Sequence, residues 1–123
     1  MTLLFSELKA KAAHLLRGES AEQQALNFLQ QKGLKLVSRN FRCKQGELDL
    51  IMLDGQTLVI VEVRYRKTDK YGSAAESVTR AKQSRIIAAT HIYLSGQQKN
   101  QSVRFDVIAM SGEGRIEWIR NAF

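Results

Sequence analysis

The stretch GELDLIMLDGQTLVIVEVRYRK, residues 46–67, reads as two β-strands joined by the turn residues Asp54 and Gly55. Its second half, LVIVEV, is apolar on both faces except at Glu62, a pattern typical of a strand that other elements cover on both sides. Glu47 and Asp49 place two more carboxylates in the first half. Because a buried carboxylate is costly unless it has a partner, the stretch predicts a cation at this hairpin.

The predicted register of the hairpin suggests where that cation lies. If the turn is a two-residue loop, counting outward places Asp49 opposite Ile60 and Glu47 opposite Glu62. Like charges directly opposite each other repel, so a positive group is expected between Glu47 and Glu62. A divalent cation such as Mg²⁺ or Mn²⁺ meets this need, and so do basic side chains such as Arg64. The residues alone leave both alternatives open.

Outward from the hairpin, the hydrophobic pattern predicts five strands and three helices in the order α, α, β, β, β, α, β, β. The first predicted helix ends near Gly18, the second runs from Ser20 to Gly33, and the third covers about 75–95. The first predicted strand begins at Leu34, and the other four cover 47–53, 58–66, 103–110 and 115–119. This order predicts an α/β fold.

Length and composition limit the class of protein. A chain of 123 residues suits one domain, which we place at 18–123, preceded by an amphipathic helix or arm at 1–17. The net charge of +7 favours polyanionic partners, although it could serve solubility alone. Cys43 is the only cysteine, and charges interrupt the apolar N-terminal segment. These features predict a cytoplasmic protein with neither disulfide nor membrane span.

Several motifs recur in order along most of the chain: GELDLI, VIVEVRYR, YGSAAESVTRAKQSRI, VRFDVIAM and WIRNAF. From about Gly18 to Phe123 they resemble the YraN-like family of bacterial proteins. That family is similar to archaeal Holliday-junction resolvases and to the PD-(D/E)xK nuclease superfamily. The resemblance implies a restriction-endonuclease-like core, with a central mixed five-stranded sheet flanked by helices.

The resemblance also implies roles for particular residues. Asp49, Glu62 and Glu22 match the catalytic carboxylates, which hold Mg²⁺ or Mn²⁺, and Glu47 belongs to the same metal-binding stretch. Arg64 stands where the superfamily has a catalytic lysine. An arginine can stabilise negative charge on a phosphate but cannot readily give up a proton, so this departure puts catalysis in question.

Basic residues flank the predicted site and are candidates for binding nucleic acid. Neutralisation of phosphates by such side chains would make binding sensitive to salt. The alternative is a basic, solvated rim without a partner, and Lys82 could either point at the carboxylates or extend into solvent. The candidates are Arg39, Arg42, Lys44, Arg66, Lys67, Lys82 and Arg85.

Three functions are compatible with these residues. The first is a metal-dependent phosphodiesterase, a structure-specific endonuclease acting on nucleic acid, for which we expect DNA. The second is a nucleic-acid-binding module that keeps the nuclease fold without cleavage, which Arg64 favours. The third is a protein-interaction subunit that docks through residues 1–17. A homodimer is compatible with the resemblance to resolvases.

Overall fold

A computed structural model describes residues 19–67, 77–97, 100–112 and 114–123. The first helix, α1, spans Glu19–Gln31. Three strands follow: β1 at Lys35–Cys43, β2 at Gly46–Asp54 and β3 at Thr57–Arg66. Helix α2 spans Arg80–Leu94, and β4 at Ser102–Ser111 and β5 at Ile116–Ile119 complete the described elements. The predicted arm at residues 1–17 lies outside the described residues.

The five strands form one mixed sheet in the order β1-β2-β3-β4-β5. β3 and β4 are parallel, and the other three neighbouring pairs are antiparallel. Parallel neighbours need a crossover connection, and α2 lies in that connection. The predicted α/β fold with a mixed five-stranded sheet and a restriction-endonuclease-like core is therefore confirmed.

A helix covers each face of the central strands. This explains the continuous apolar run of β3, in which Leu58–Val61 are all buried. Burial of each such side chain stabilises the fold by roughly 1.5–3 kcal/mol. The cluster under α1 includes Ala25, Leu29, Leu50, Met52 and Val61, and the cluster under α2 includes Leu48, Ile51, Ile60, Ile86 and Ala89.

The predicted register of the β2–β3 hairpin is wrong by two residues. The loop consists of Gly55 and Gln56, and Asp54 pairs with Thr57. Gly55 has φ +61°, whereas Gln56 is not among the residues with positive φ, which suits glycine at the first position of a type II′ turn. A shift of two residues keeps each side chain on its face but changes its neighbour. Continued beyond the paired residues, this register places Asp49, and not Glu47, across from Glu62.

Candidate functional site at the fork of the sheet

The sheet forks beside Asp49. Pairing between β2 and β3 starts at the turn and stops at Leu50 and Val61. Beyond that point β2 continues to pair with β1, as far as the pair Cys43 and Gly46, and β3 continues to pair with β4. At the fork the Asp49 side chain takes the place of a backbone acceptor, because its Oδ2 accepts a hydrogen bond from the Val63 amide at 2.9 Å. Asp49 is thereby fixed against β3.

The side-chain faces of β1 and β2 change at the same level. Residues two apart normally share a face of a strand, yet Leu48 packs under α2 and Leu50 packs under α1. In β1, Phe41 pairs with Leu48 and Arg39 pairs with Leu50. Asn40, between them, has φ +55°, a left-handed conformation that asparagine tolerates better than most residues. In both strands, the face to which alternate side chains point therefore changes at the level where Asp49 meets β3.

Glycine at the start of β2 lets α2 lie against the fork. A Cβ atom added to Gly46 would stand 2.9 Å from the backbone oxygen of Arg85, closer than real Cβ contacts allow. This close approach brings the first turn of α2 over the opening between β2 and β3. Lys82 from that turn reaches the opening, where its Nζ lies 3.7 Å from Oε2 of Glu62.

Glu62 is a buried carboxyl with another carboxylate beside it. Its side chain is 7% exposed. Burial first, and then the hydrogen bond and the negative charge of Asp49, raise the pKa of Glu62 to about 9, against the weaker opposing effect of Lys82 and Arg64. At neutral pH without a metal ion, Glu62 therefore holds a proton next to Asp49. A pair of this kind needs either that proton or a cation.

Asp106 shows how the same chain satisfies a buried carboxylate whose role is structural. It is fully buried and receives two hydrogen bonds from Arg104, at 2.9 and 3.0 Å. Trp118 Nε1 and the Asn121 amide each donate another at 2.9 Å. Glu62 lies instead beside a second carboxylate, with the ammonium of Lys82 at 3.7 Å. The contrast separates the pair Asp49 and Glu62 from a buried carboxylate that four internal hydrogen bonds neutralise.

The space at the fork is a pocket of about 290 Å³, or roughly the volume of ten water molecules. It brings together Glu22, Asp49, Glu62 and Arg64, the four predicted catalytic residues. Glu22 comes from the first turns of α1. The remaining lining residues are Ala21, Val63, Tyr65 and Lys82.

Arg64 points at the segment that precedes α2. Its Nε donates to Ser77 Oγ at 3.2 Å and its Nη2 donates to the Ser77 carbonyl oxygen at 3.4 Å. Ser77 was not predicted as a site residue; the only signal in the sequence is a polar residue shortly before a helix. Arg64 thus lines the pocket and also holds the start of the α2 region.

Glu47 does not line the pocket. It forms an ion pair with Arg42, whose Nε lies 3.3 Å from Oε1 of Glu47, and both side chains are exposed. The sequence grouped Glu47 with the other carboxylates through the predicted register, which the structure corrects, and through the motif resemblance. Its predicted part in metal binding stays a prediction that rests on the resemblance.

The donor set at the fork fits a hard divalent cation with many water ligands. Among the described residues, no group of three or more His, Cys, Asp or Glu side chains is close enough to hold a metal by itself. Mg²⁺ commonly uses only one or two carboxylates, together with water and substrate phosphate oxygens. Asp49 and Glu62 supply those two carboxylates, and Glu22 lines the same space.

The predicted nucleic-acid-binding residues divide between the two sides of the fork. Lys82 alone among them lines the pocket. Arg39 donates to Gln23 of α1 at 3.0 Å, and Arg42 pairs with Glu47 on the surface. Lys44 lies in the β1–β2 turn, and Arg85 lies on α2 beside Gly46. On the other side are Arg66, which ends β3, and Lys67, which follows it.

Fold and site together define an α/β protein of restriction-endonuclease-like architecture with a carboxylate pair at the fork of its sheet. A family model described as "Uncharacterised protein family UPF0102" matches residues 21–110. The chain belongs to this family, which confirms the YraN-like resemblance of its motifs.

The matches to similar proteins cover most of each relative and most of this chain. A UPF0102 protein of Nitrosomonas europaea is 51% identical over 109 residues, which are 87% of this chain and 92% of the relative. One from Janthinobacterium is 50% identical over 115 residues, which are 94% and 93% of the two chains. One from Pseudomonas fluorescens is 46% identical over 114 residues, which are 90% and 95%. In the described part of this chain, no helix is long and apolar enough to cross a membrane.

Proposed function

We propose that this protein is a divalent-cation-dependent phosphodiesterase, a structure-specific endonuclease whose substrate is nucleic acid and, we expect, DNA. The observation that carries the proposal is the adjacent pair Asp49 and Glu62 in a solvent-accessible pocket, with Glu62 only 7% exposed and beside a second carboxylate. A buried carboxylate pair of this kind is costly for the fold and useful to a cation.

In this proposal Asp49 and Glu62 would hold Mg²⁺ or Mn²⁺, and Glu22 would contribute from the same pocket. When bound, the ion would supply Lewis-acid polarisation of a phosphate oxygen and lower the pKa of a water. The hydrogen bond from the Val63 amide keeps Asp49 oriented, so this carboxylate is pre-organised before the ion arrives.

The reaction is hydrolysis of a phosphodiester. A water oxygen bonds to phosphorus, the bond from phosphorus to one sugar oxygen breaks, that oxygen takes up a proton, and the proton released by the water leaves to solvent. Basic side chains of the pocket stabilise the negative charge that grows on the phosphate oxygens. The described residues of the pocket include no Ser, Cys or His, and in this proposal the nucleophile is water.

The surroundings of the pocket suit a polyanion. Exposed basic residues lie on both sides of the fork, at Lys44 and Arg85 and at Lys67, and the chain carries a net charge of +7. Each phosphate that such residues neutralise releases counterions, so binding should weaken steeply as salt rises. The predicted homodimer and cytoplasmic location stay predictions.

The direct test is cleavage of labelled single-stranded, duplex, flap and four-way-junction DNA with Mg²⁺ or Mn²⁺. The control is the double variant Asp49→Ala/Glu62→Ala, purified in the same way so that a contaminating nuclease would be seen in both preparations. Cleavage by the wild type alone is the expected result. Equal cleavage by both proteins, or none by either, would refute the proposed function.

A second function is favoured by Arg64, whose guanidinium is engaged with Ser77 and which stands where the superfamily has a lysine. On this alternative the protein binds nucleic acid on a nuclease fold without cleaving it. Binding that weakens with salt, together with no cleavage under any metal condition, would select this alternative.

A further inference from the structure

The superfamily motif has a basic residue on β3, which is Arg64 in this chain. A second basic residue, Lys82 of α2, lines the same pocket. We propose that Lys82 is a catalytic residue that donates hydrogen bonds to the phosphate being cleaved, while Arg64 positions it by holding the segment before α2. This inference rests on the proposed phosphodiesterase function and assigns within it a role that the motif resemblance gives to residue 64.

The position of Lys82 supports the assignment. It lies in the first turn of α2, which Thr79 caps by accepting a hydrogen bond at Oγ1 from the Lys82 amide at 3.2 Å. The cap fixes the start of the helix and hence the base of this side chain. The ammonium group then reaches the pocket from the face opposite α1.

The distance of Lys82 from Glu62 leaves its donors available. Nζ lies 3.7 Å from Oε2 of Glu62, longer than a good hydrogen bond, and the side chain is 36% exposed. An ammonium has three rotatable donors, so it can stay near Glu62 and still contact an oxygen of a bound phosphate. A contact that strengthens as charge grows on the phosphate accelerates hydrolysis.

Arg64 is less suited to that contact because its guanidinium is used elsewhere. Two of its nitrogens donate to Oγ and to the carbonyl oxygen of Ser77. Ser77 lies two residues before the cap residue Thr79. The hydrogen bonds therefore tie the end of β3 to the beginning of α2, and this tie places Lys82 over the carboxylate pair.

Arg85 offers a matched control on the same helix. It lies one turn further along α2, carries the same charge, and is exposed, but its side chain does not line the pocket. Replacing it removes a positive charge from the same surface without touching the proposed contact. A general electrostatic role of the helix would make the two substitutions equivalent, whereas a catalytic role for Lys82 makes them different.

The experiment compares the wild type, Lys82→Gln, Lys82→Arg and Arg85→Gln. It measures kcat and KM for DNA cleavage, Mn²⁺ affinity by calorimetry and melting temperature. Lys82→Gln should lower kcat by about 100-fold. Its Mn²⁺ affinity should be equal or higher, because a cation that competes near Glu62 is removed. Lys82→Arg should recover part of kcat, and Arg85→Gln should act mainly by raising KM and lower kcat far less than Lys82→Gln does.

Wild-type kcat in Lys82→Gln would overturn this inference and leave the proposed function in place. If Lys82→Gln lost both Mn²⁺ binding and cleavage, the inference would also be overturned, because the residue would then act through the metal site. Absence of cleavage by the wild type would instead refute the proposed function, and this inference with it.

Discussion

Replacing Glu62 by glutamine should stabilise the protein without a divalent cation, and this advantage should largely disappear when the cation is bound. Glutamine has nearly the same shape but no charge, so it keeps the packing of the buried site and removes the titratable group. In the folded protein, burial and Asp49 raise the pKa of Glu62 from the ordinary value of 4.5 to about 9. The folded state therefore retains a proton that the unfolded chain releases.

The sign and size of the effect follow from proton linkage. Below pH 4.5 both states are protonated, and the group costs nothing. As pH rises to about 9, only the unfolded state releases its proton, so the free energy of unfolding falls through this range, and the loss is complete above it. Since pH 7 lies about 2.5 units above the unfolded value, the penalty there is about 3 kcal/mol.

Thermal denaturation at pH 7 measures this penalty. In EDTA, Glu62→Gln should raise the melting temperature by up to roughly 10 °C, and the fall in stability between pH 5 and pH 9 should be smaller than in the wild type. With saturating Mn²⁺, the wild type should gain about 3 kcal/mol at a hundredfold excess over Kd, while the variant gains little. Glu47→Gln, an exposed carboxylate paired with Arg42, is the control and should change stability by less than about 0.5 kcal/mol. Lower stability of Glu62→Gln in EDTA, or equal shifts in EDTA and Mn²⁺, would refute the reasoning.

Three further substitutions probe other parts of the account. Asp106→Asn should destabilise the fold by about 3–5 kcal/mol, because it leaves the Arg104 guanidinium without its buried partner, and a normal urea midpoint would contradict a structural role for this carboxylate. Gly46→Ala should cost about 1–3 kcal/mol, since the added Cβ meets the backbone of Arg85, and its urea midpoint should therefore fall; an unchanged midpoint would show that α2 does not lie so close. Lys44→Gln should weaken DNA binding about equally for all sequences and reduce the slope of log affinity against log salt by about one, whereas an unchanged slope would place Lys44 away from the phosphates.

The hydrophobic pattern predicted the fold well because the two signals that decide it, the apolar run of β3 and the helical spacing of α1, are local in sequence. The run Leu58–Val61 is apolar on both faces, and such a run is stable only between two covering layers. The helical spacing after Ser20 predicted α1, although the helix already begins one residue earlier, at Glu19. The third predicted helix, placed at about 75–95, corresponds to α2 at Arg80–Leu94, and Thr79 supplies a cap that pattern alone did not locate.

Details of the site depended on geometry that a pattern does not contain. The hairpin loop starts one residue later than Asp54, because Gly55 takes the first position of the turn, and this moved the expected neighbour of Glu62 from Glu47 to Asp49. The reversal of faces at Asn40 has no periodic signal, since it consists of a single left-handed residue. The motif resemblance nevertheless grouped Glu22, Asp49, Glu62 and Arg64 as catalytic residues, and the structure brings all four to one pocket. Their catalytic roles stay predictions.

The central claim is that the carboxylate pair at the fork binds a divalent cation. A calorimetric titration of Mn²⁺ into the wild type and into Asp49→Asn tests it most directly, because asparagine keeps an oxygen that can accept from the Val63 amide and removes only the charge. The account predicts saturable binding by the wild type and an affinity at least about tenfold lower in Asp49→Asn. Equal affinity in the two proteins, or no binding by the wild type, would contradict it.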